Sequence, residues 1–98
     1  MIKINISAND IKVTGHAGYA KKGEDIVCAS VSTAVTMCIN QIEIFDLMSN
    51  IEYEVKEGYL MLHVVRWDDV LEKIVKNFLY TLSELERDYP YFVKIREC

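Results

Sequence analysis

The sequence predicts an α+β fold, a small two-layer domain in which an antiparallel sheet packs on two helices in the order ββαββα. Short segments alternate apolar and polar residues, and two longer segments repeat apolar residues at helical spacing. The connections within each predicted hairpin are too short for parallel crossovers. With 98 residues the chain has room for one modest core, so residues 1–98 are predicted to form a single domain.

The first element is a predicted β-hairpin over residues 2–7 and 10–15. Ile2, Ile4 and Ile6 alternate with polar residues, and Ile11 and Val13 resume the alternation. The intervening Ala-Asn-Asp sequence is typical of a turn, because Asn and Asp side chains hydrogen-bond to nearby backbone.

A helix is predicted from about residue 25 to residue 49, since this segment contains neither Gly nor Pro and repeats apolar residues at helical spacing. Its opposite face is also apolar or small, with Ala29, Ser30, Thr33, Ala34 and Met37. A helix that is apolar nearly all round is a buried one. We therefore expect a second subunit to cover it.

A second hairpin is predicted over residues 51–64, with Glu57 and Gly58 in its turn. The reverse face of its second strand carries Met61 and His63, which fits either a dimer surface or a central strand. On such a strand His63 is expected to be packed or at an interface rather than catalytic.

The second helix is predicted at about 68–88, with Asp68 or Asp69 as its N-cap. An apolar stripe at helical spacing runs along it, and Pro90 follows its end. Residues 91–95 alternate again and are compatible with a short last strand.

Composition limits the possible partners and the compartment. The formal net charge of −4 argues against general nucleic-acid binding, which needs clustered cations. No continuous apolar run reaches the length of a membrane span, and the N-terminus alternates as a strand does, so neither a membrane partner nor a signal peptide is expected. Three cysteines without a CxxC spacing argue against a disulfide scaffold and indicate a reducing cytoplasm. Cys38 is expected in the core, and Cys98 to be exposed and incidental.

Residues 15–28, GHAGYAKKGEDIVC, concentrate three of the four glycines beside a histidine and a cysteine. A phosphate cradle is disfavoured, because Glu24 and Asp25 follow Gly23 where a P-loop has Lys and Ser or Thr. A metal site is disfavoured too, because Cys28 and Cys38 lie about 15 Å apart along one helix and on different faces. No metal and no cofactor are expected.

The third interpretation of this segment is a thiol nucleophile. Asp25 fits an N-cap, which places Cys28 at the third helical position, where unpaired N–H groups and the helix dipole favour a thiolate. His16, at the end of the preceding strand, is able to return over the helix start and take the thiol proton. Backbone N–H groups around Cys28 are then candidates for an oxyanion hole. The competing interpretation is that Cys28 is a small buried hydrophobe.

The segments GHAGYA (15–20), GEDIVCA (23–29) and Val31-Ser32 resemble the signature of the ribosomal-processing cysteine proteases, the Prp family. The resemblance implies a bacterial cytoplasmic endopeptidase, usually a homodimer, which removes the N-terminal extension of large-subunit ribosomal protein number twenty-seven. The family cleaves after a short apolar segment ending in aromatics. The precursor of that ribosomal protein is the implied partner.

Carried over by position, the resemblance makes Cys28 the nucleophile and His16 its general base, with Gly15, Asp25 and Ser32 at the other motif positions. Asp25 either caps the helix or orients His16 as a third catalytic member, and capping is favoured. Two other functions stay open: a non-catalytic ribosome-associated binding module with a structural cysteine, and a thiol redox sensor. If the chain is a protease, we expect residues 17–24 to be placed differently or poorly ordered without substrate.

Overall fold

Five strands and two helices follow one another in the order ββαββαβ in the computed structural model, which describes residues 1–97. The helices are α1 (Ile26–Ile44) and α2 (Asp69–Asp88). The strands are β1 (Ile2–Ile6), β2 (Asp10–Thr14), β3 (Ile51–Lys56), β4 (Tyr59–Val64) and β5 (Val93–Glu97). The prediction for Cys98 lies outside the described residues.

The strands form one mixed sheet in the order β3-β4-β2-β1-β5. The predicted all-antiparallel sheet is wrong at one edge, because β5 runs parallel to β1. After β4 the chain crosses the sheet as α2 and enters β5 beside β1, where Ile2 N donates to Phe92 O over 2.8 Å. β5 therefore completes the predicted order with a fifth strand, two residues later than the predicted segment 91–95.

The core lies between the two helices and one face of the sheet. Alternate residues of β1, β2 and β4 point into it and are almost fully buried: Ile2, Ile4, Ile11, Val13, Leu60, Leu62 and Val64. The opposing helices contribute Val27, Val31, Val35 and Ile42 from α1 and Leu71, Ile74, Phe78 and Leu82 from α2. The alternation that predicted the strands is the alternation between this core and the open face of the sheet.

The helix α1 keeps an apolar outer face that residues 1–97 do not cover. Met37 is 56% exposed and Ile44 is 75% exposed, although the opposite side of the helix is buried. By length and hydropathy α1 would suffice to cross a bilayer, a test that core helices of globular proteins also pass. The covering subunit stays a prediction.

The helix α1 ends five residues earlier than predicted. Asp46 has a φ of 58°, and the chain reverses there: Leu47 N donates to Ile42 O, and Asp46 N donates to Glu43 O. This is the Schellman arrangement that closes many helices, with aspartate where glycine is usual. A short 3₁₀ turn, Met48–Asn50, then leads into β3.

Candidate active site

The five residues singled out in the sequence line one cleft of about 640 Å³, namely Gly15, His16, Asp25, Cys28 and Ser32. The loop between β2 and α1 forms one side of this cleft, and the first turns of α1 form its base. The turn between β3 and β4 forms the opposite wall, because β4 pairs directly with β2. The fold thus brings together residues from three separate segments of the chain.

Asp25 is the N-cap of α1, as the sequence predicts. Its Oδ1 accepts hydrogen bonds from Val27 N and Cys28 N, both over 3.0 Å. Its Oδ2 accepts one from Tyr19 N over 3.0 Å, which fastens the loop to the helix start. The Cys28 N–H, followed by those of Tyr19, Ala20 and Val27, holds the pKa of this carboxyl below its ordinary value against a smaller opposing effect of burial.

The role of Asp25 as a third catalytic member finds no contact to support it. Both carboxylate oxygens bind backbone N–H groups, and within residues 1–97 no hydrogen bond joins Asp25 to the His16 imidazole. The carboxylate therefore orders the helix start and the loop together.

Cys28 occupies the third helical position, half-buried at the base of the cleft. Its Sγ accepts a hydrogen bond from Ala17 N over 3.2 Å, from across the loop. The expectation that the N–H groups around Cys28 are free for an oxyanion is wrong for Val27 and Cys28, because Asp25 occupies both.

His16 is exposed at the mouth of the cleft, and its imidazole lies against Gly58 in the β3–β4 turn. A Cβ at Gly58 would stand only 2.8 Å from His16 Nε2, so a side chain at this position would displace the imidazole from where it lies. Within residues 1–97 no hydrogen bond joins the imidazole to Cys28 Sγ. Ala17 N is two bonds from the His16 Cα, which places that Cα within about 6 Å of the sulfur, inside the reach of the side chain after rotation.

Gly15 has a steric role. Its φ is +94°, and a Cβ on it would stand 2.6 Å from Met1 O. Its N–H donates to Gly58 O over 3.0 Å, and the N-terminal ammonium donates to His16 O over 2.6 Å. Because Gly15 has no side chain, the backbone is able to pass between the N-terminus and the β3–β4 turn. His16, the next residue, therefore lies at the cleft.

Ser32 lies one turn after Cys28 on the exposed side of α1 and lines the cleft. Its carbonyl accepts the Thr36 hydroxyl over 3.0 Å. Within the described residues its own hydroxyl makes no hydrogen bond, so this small side chain contributes space and a free polar group beside the sulfur.

The loop over the helix start is fastened at both of its sides. Ala17 is buried, and the Tyr19 ring packs edge-on against Tyr89 and Phe92, with ring centroids 5.8 and 5.2 Å apart. On the other side Lys22 pairs with Glu57 of the β3–β4 turn over 3.2 Å. Displacement of this loop by a substrate stays a prediction, and these are the contacts that displacement would break.

The other cysteine and histidine lie away from the cleft. Cys38 is 3% exposed, and burial raises the pKa of its thiol to about 12, as suits a core residue and not a resolving cysteine. His63 Nδ1 lies 2.6 Å from Asp10 Oδ1 between neighbouring strands. Among residues 1–97 no group of three or more His, Cys, Asp or Glu side chains is arranged to hold a metal ion.

The sequence reasoning missed two parts of this site. Gly58 was assigned only to a turn, and its place under His16 depends on the β2–β4 pairing, which no local pattern reveals. The N–H of Ala17 carries no sequence signal, because almost every residue has one.

The family model described as Cysteine protease Prp matches residues 1–94. The ribosomal processing cysteine protease Prp of Mycoplasma pneumoniae is 29% identical over 99% of this chain and 95% of its own length. The protein of the same name from Staphylococcus aureus strain Mu50 is 31% identical, with 97% of each chain covered.

Solved structures share the fold. The crystal structure of an essential ribosomal processing protease Prp from S. aureus, in complex with a covalently linked product peptide, superposes with a TM-score of 0.90 over the whole of both chains at 24% identity. The crystal structure of SMU.848 from Streptococcus mutans gives a TM-score of 0.67 at 25% identity, over 99% of this chain and 93% of the other.

Proposed function

Because the chain belongs to the Prp family of ribosomal processing cysteine proteases, we propose that it is a cysteine endopeptidase with Cys28 as nucleophile and His16 as general base. Its substrate is the precursor of large-subunit ribosomal protein number twenty-seven, from which it removes the N-terminal extension. The observation that carries the proposal is the Cys28 sulfur at the base of an open cleft, with an N–H aimed at it and an imidazole at the mouth.

The proposed reaction needs the imidazole to move before the chemistry begins. His16 rotates from Gly58 towards Cys28 and takes the thiol proton, and the sulfur attacks the scissile carbonyl carbon. The S–C bond forms, the C–N bond breaks, and the imidazolium returns its proton to the leaving amine. Water, deprotonated by His16, then hydrolyses the thioester and releases the extension and the free thiol.

The walls of the cleft suit an apolar peptide. Its lining includes the core residues Val31, Val35 and Leu60, which are almost fully buried, and Val55 of the second hairpin. Val55 is 49% exposed on β3, which is an edge strand, so an extended segment has both apolar surface and unpaired backbone beside it. We propose that this side receives the apolar residues before the cleaved bond.

The test is incubation of the purified protein with the uncleaved precursor, followed by mass spectrometry. Cys28→Ala and Cys28→Ser are expected to lose cleavage by about 10⁴-fold or more. Cys38→Ala is the matched control, because that thiol is buried away from the cleft, and it should retain cleavage. Full activity in both Cys28 variants would overturn the protease function.

One observation favours a second candidate, a non-catalytic ribosome-associated module in which Cys28 is structural. His16 rests on Gly58 and, within residues 1–97, does not hydrogen-bond to the thiol. Alkylation of Cys28 against pH separates the two functions. The protease requires a rate profile that shifts to higher pH in His16→Ala, whereas the binding module requires identical profiles of an ordinary thiol in both proteins.

We further propose that the protein works in the cytoplasm as a homodimer. The uncovered apolar face of α1, with Met37 and Ile44, supports a partner subunit. Sedimentation equilibrium is expected to give twice the 11.3 kDa chain mass, and Met37→Glu to give the monomer. A wild-type monomer at micromolar concentration would contradict the dimer.

A further inference from the structure

An acyl-transfer reaction at Cys28 needs a donor for the carbonyl oxygen, and the helix start does not readily supply one. In the first turn of α1, Val27 N and Cys28 N donate to Asp25 Oδ1, and Ala29 N donates to Asp25 O. Within the described residues, Ile26 N is the one N–H of this turn without a partner, and it lies two residues before the nucleophile.

A donor does face the sulfur from the opposite side. Ala17 N lies 3.2 Å from Cys28 Sγ. Ala17 is only 4% exposed, so water competes poorly for its N–H. Its neighbours fix it further, since Gly15 N is bonded to Gly58 O and His16 O accepts the N-terminal ammonium.

We infer that the Ala17 N–H is the oxyanion donor of this site. The inference rests on the proposed protease function. When the sulfur attacks, the S–C bond forms and the carbonyl π pair moves to oxygen, which is then two bonds from the sulfur. A donor already placed beside the sulfur passes from thiolate to oxyanion with little movement, which is the preorganisation that stabilises such a charge.

The oxyanion role differs from stabilisation of the thiolate alone. A donor that acts only on the thiolate affects every reaction of the sulfur, including alkylation. An oxyanion donor affects acyl transfer and the binding of peptide aldehydes, whose thiol adducts carry an oxygen at the same place. The two roles therefore separate at a pH where the thiolate is fully formed.

Single backbone atoms of residues 1–27 can be replaced by semisynthesis. A synthetic peptide thioester of residues 1–27 is ligated to a fragment of residues 28–98, whose first residue is Cys28. Replacing Ala17 by L-lactic acid removes the N–H and keeps the side chain. The matched control is the same change at Ala8, in the exposed β1–β2 turn. The Ile26 N–H is the alternative oxyanion donor, and replacing Ile26 by its hydroxy-acid analogue removes it.

With an apolar peptide substrate, the Ala17 ester is expected to lower kcat by about 10²–10³-fold. KM and the high-pH alkylation rate by iodoacetamide should change less than about threefold. The Ala8 ester should match the ligated reference chain. Unchanged kcat, an equal loss in alkylation, or a loss confined to the Ile26 ester would each overturn the inference. A reference chain that alkylates but cleaves nothing would overturn the proposed function and this inference with it.

A second measurement does not depend on refolding an ester. The intact chain labelled with ¹⁵N-alanine has five alanines, at positions 8, 17, 20, 29 and 34. Addition of a peptide aldehyde is expected to move the Ala17 amide proton downfield by more than any other alanine, because its hydrogen bond passes from the weakly accepting sulfur to the adduct oxygen. An Ala17 resonance that stays in place while the adduct forms would refute the assignment.

Discussion

The two helices begin with the same kind of cap, but their third residues lie in different surroundings. Asp25 and Asp68 are both N-caps, and each accepts a backbone N–H at the third helical position, over 3.0 Å at Cys28 and 2.7 Å at Leu71. Leu71 is fully buried in the core, whereas Cys28 faces a cleft.

The chain before each helix accounts for this difference. Only four residues connect β4 to α2. Within residues 1–97 the Asp68 carboxylate accepts a hydrogen bond only from Leu71 N, so its contacts are those of a helix cap alone. Before α1 the chain instead makes a long loop over the helix start, held by the second oxygen of Asp25. A helix N-terminus alone therefore does not make a candidate active site. The loop that folds back over the start of α1 is also needed, because it places Ala17 N against the Cys28 sulfur.

The largest effect is expected from substituting the two capping aspartates in turn. Asp25→Ala removes the cap and the loop contact together, so Ala17 and His16 lose their fixed position relative to Cys28. We expect a fall of about 100-fold in kcat/KM for precursor cleavage, as for a small misplacement of reacting groups. Asp68→Ala should cost about 1 kcal/mol of stability and leave kcat/KM within about twofold.

The measurement is steady-state cleavage of a precursor peptide at a temperature where both variants stay folded by circular dichroism. Asp25→Asn adds a sharper arm, because asparagine is an equally good cap and its oxygen still accepts one bond. It should recover part of the lost activity. Equal losses in Asp25→Ala and Asp68→Ala would show that the loop contact adds nothing to the cap.

The next effect concerns the glycines that shape the loop. Gly15 and Gly23 have similar φ values of +94° and +89°, but a Cβ meets Met1 O at 2.6 Å only at Gly15. Gly15→Ala is therefore expected to lower the free energy of unfolding by about 3 kcal/mol, and Gly23→Ala by about 1 kcal/mol. Urea denaturation of both variants gives the difference, and equal losses would mean that the N-terminus simply moves aside.

Local patterns were sufficient for most of the fold. Alternation at Ile2, Ile4, Ile11 and Val13 predicted the first hairpin because one face of those strands is core. The helix starts followed from Asp25 and from the pair Asp68 and Asp69, of which Asp68 is the cap, because a capping side chain acts on residues two or three positions away. The cap also placed Cys28 correctly on the helix.

What the sequence did not reveal depends on long-range or unusual contacts. The end of α1 rests on Asp46 at positive φ, a conformation for which aspartate gives a far weaker signal than glycine. The parallel β1–β5 pair joins strands about 90 residues apart, and parallel pairing has no local pattern of its own. The imidazole's place on Gly58 follows in turn from the β2–β4 pairing.

A smaller effect is expected at the aromatic contacts that hold the loop between β2 and α1. Tyr19→Ala removes two edge-on aromatic contacts, each worth about 1 kcal/mol, which tie the loop to Tyr89 and Phe92. Faster amide exchange across residues 17–24 and a few-fold change in KM are expected. Tyr80→Ala is the control, because that ring is 61% exposed on α2. Unchanged exchange in Tyr19→Ala would mean that Asp25 alone holds the loop.

The smallest expected effect is the dependence of stability on pH at the Asp25 cap of α1. The pKa of Asp25 is lowered, chiefly by the Cys28 N–H, so its carboxylate stabilises the folded chain above the ordinary carboxyl pKa, and this contribution disappears as the pH falls through the lowered value. As the pH falls below the ordinary carboxyl pKa, the urea midpoint of the wild type should therefore decline more steeply than that of Asp25→Asn, whose cap does not titrate. Because the protonated carboxyl still offers an oxygen to Val27 N, the two curves should converge in acid and separate towards neutrality. Parallel curves across the whole range would show that the charge of this cap, unlike its geometry, contributes nothing to the helix start.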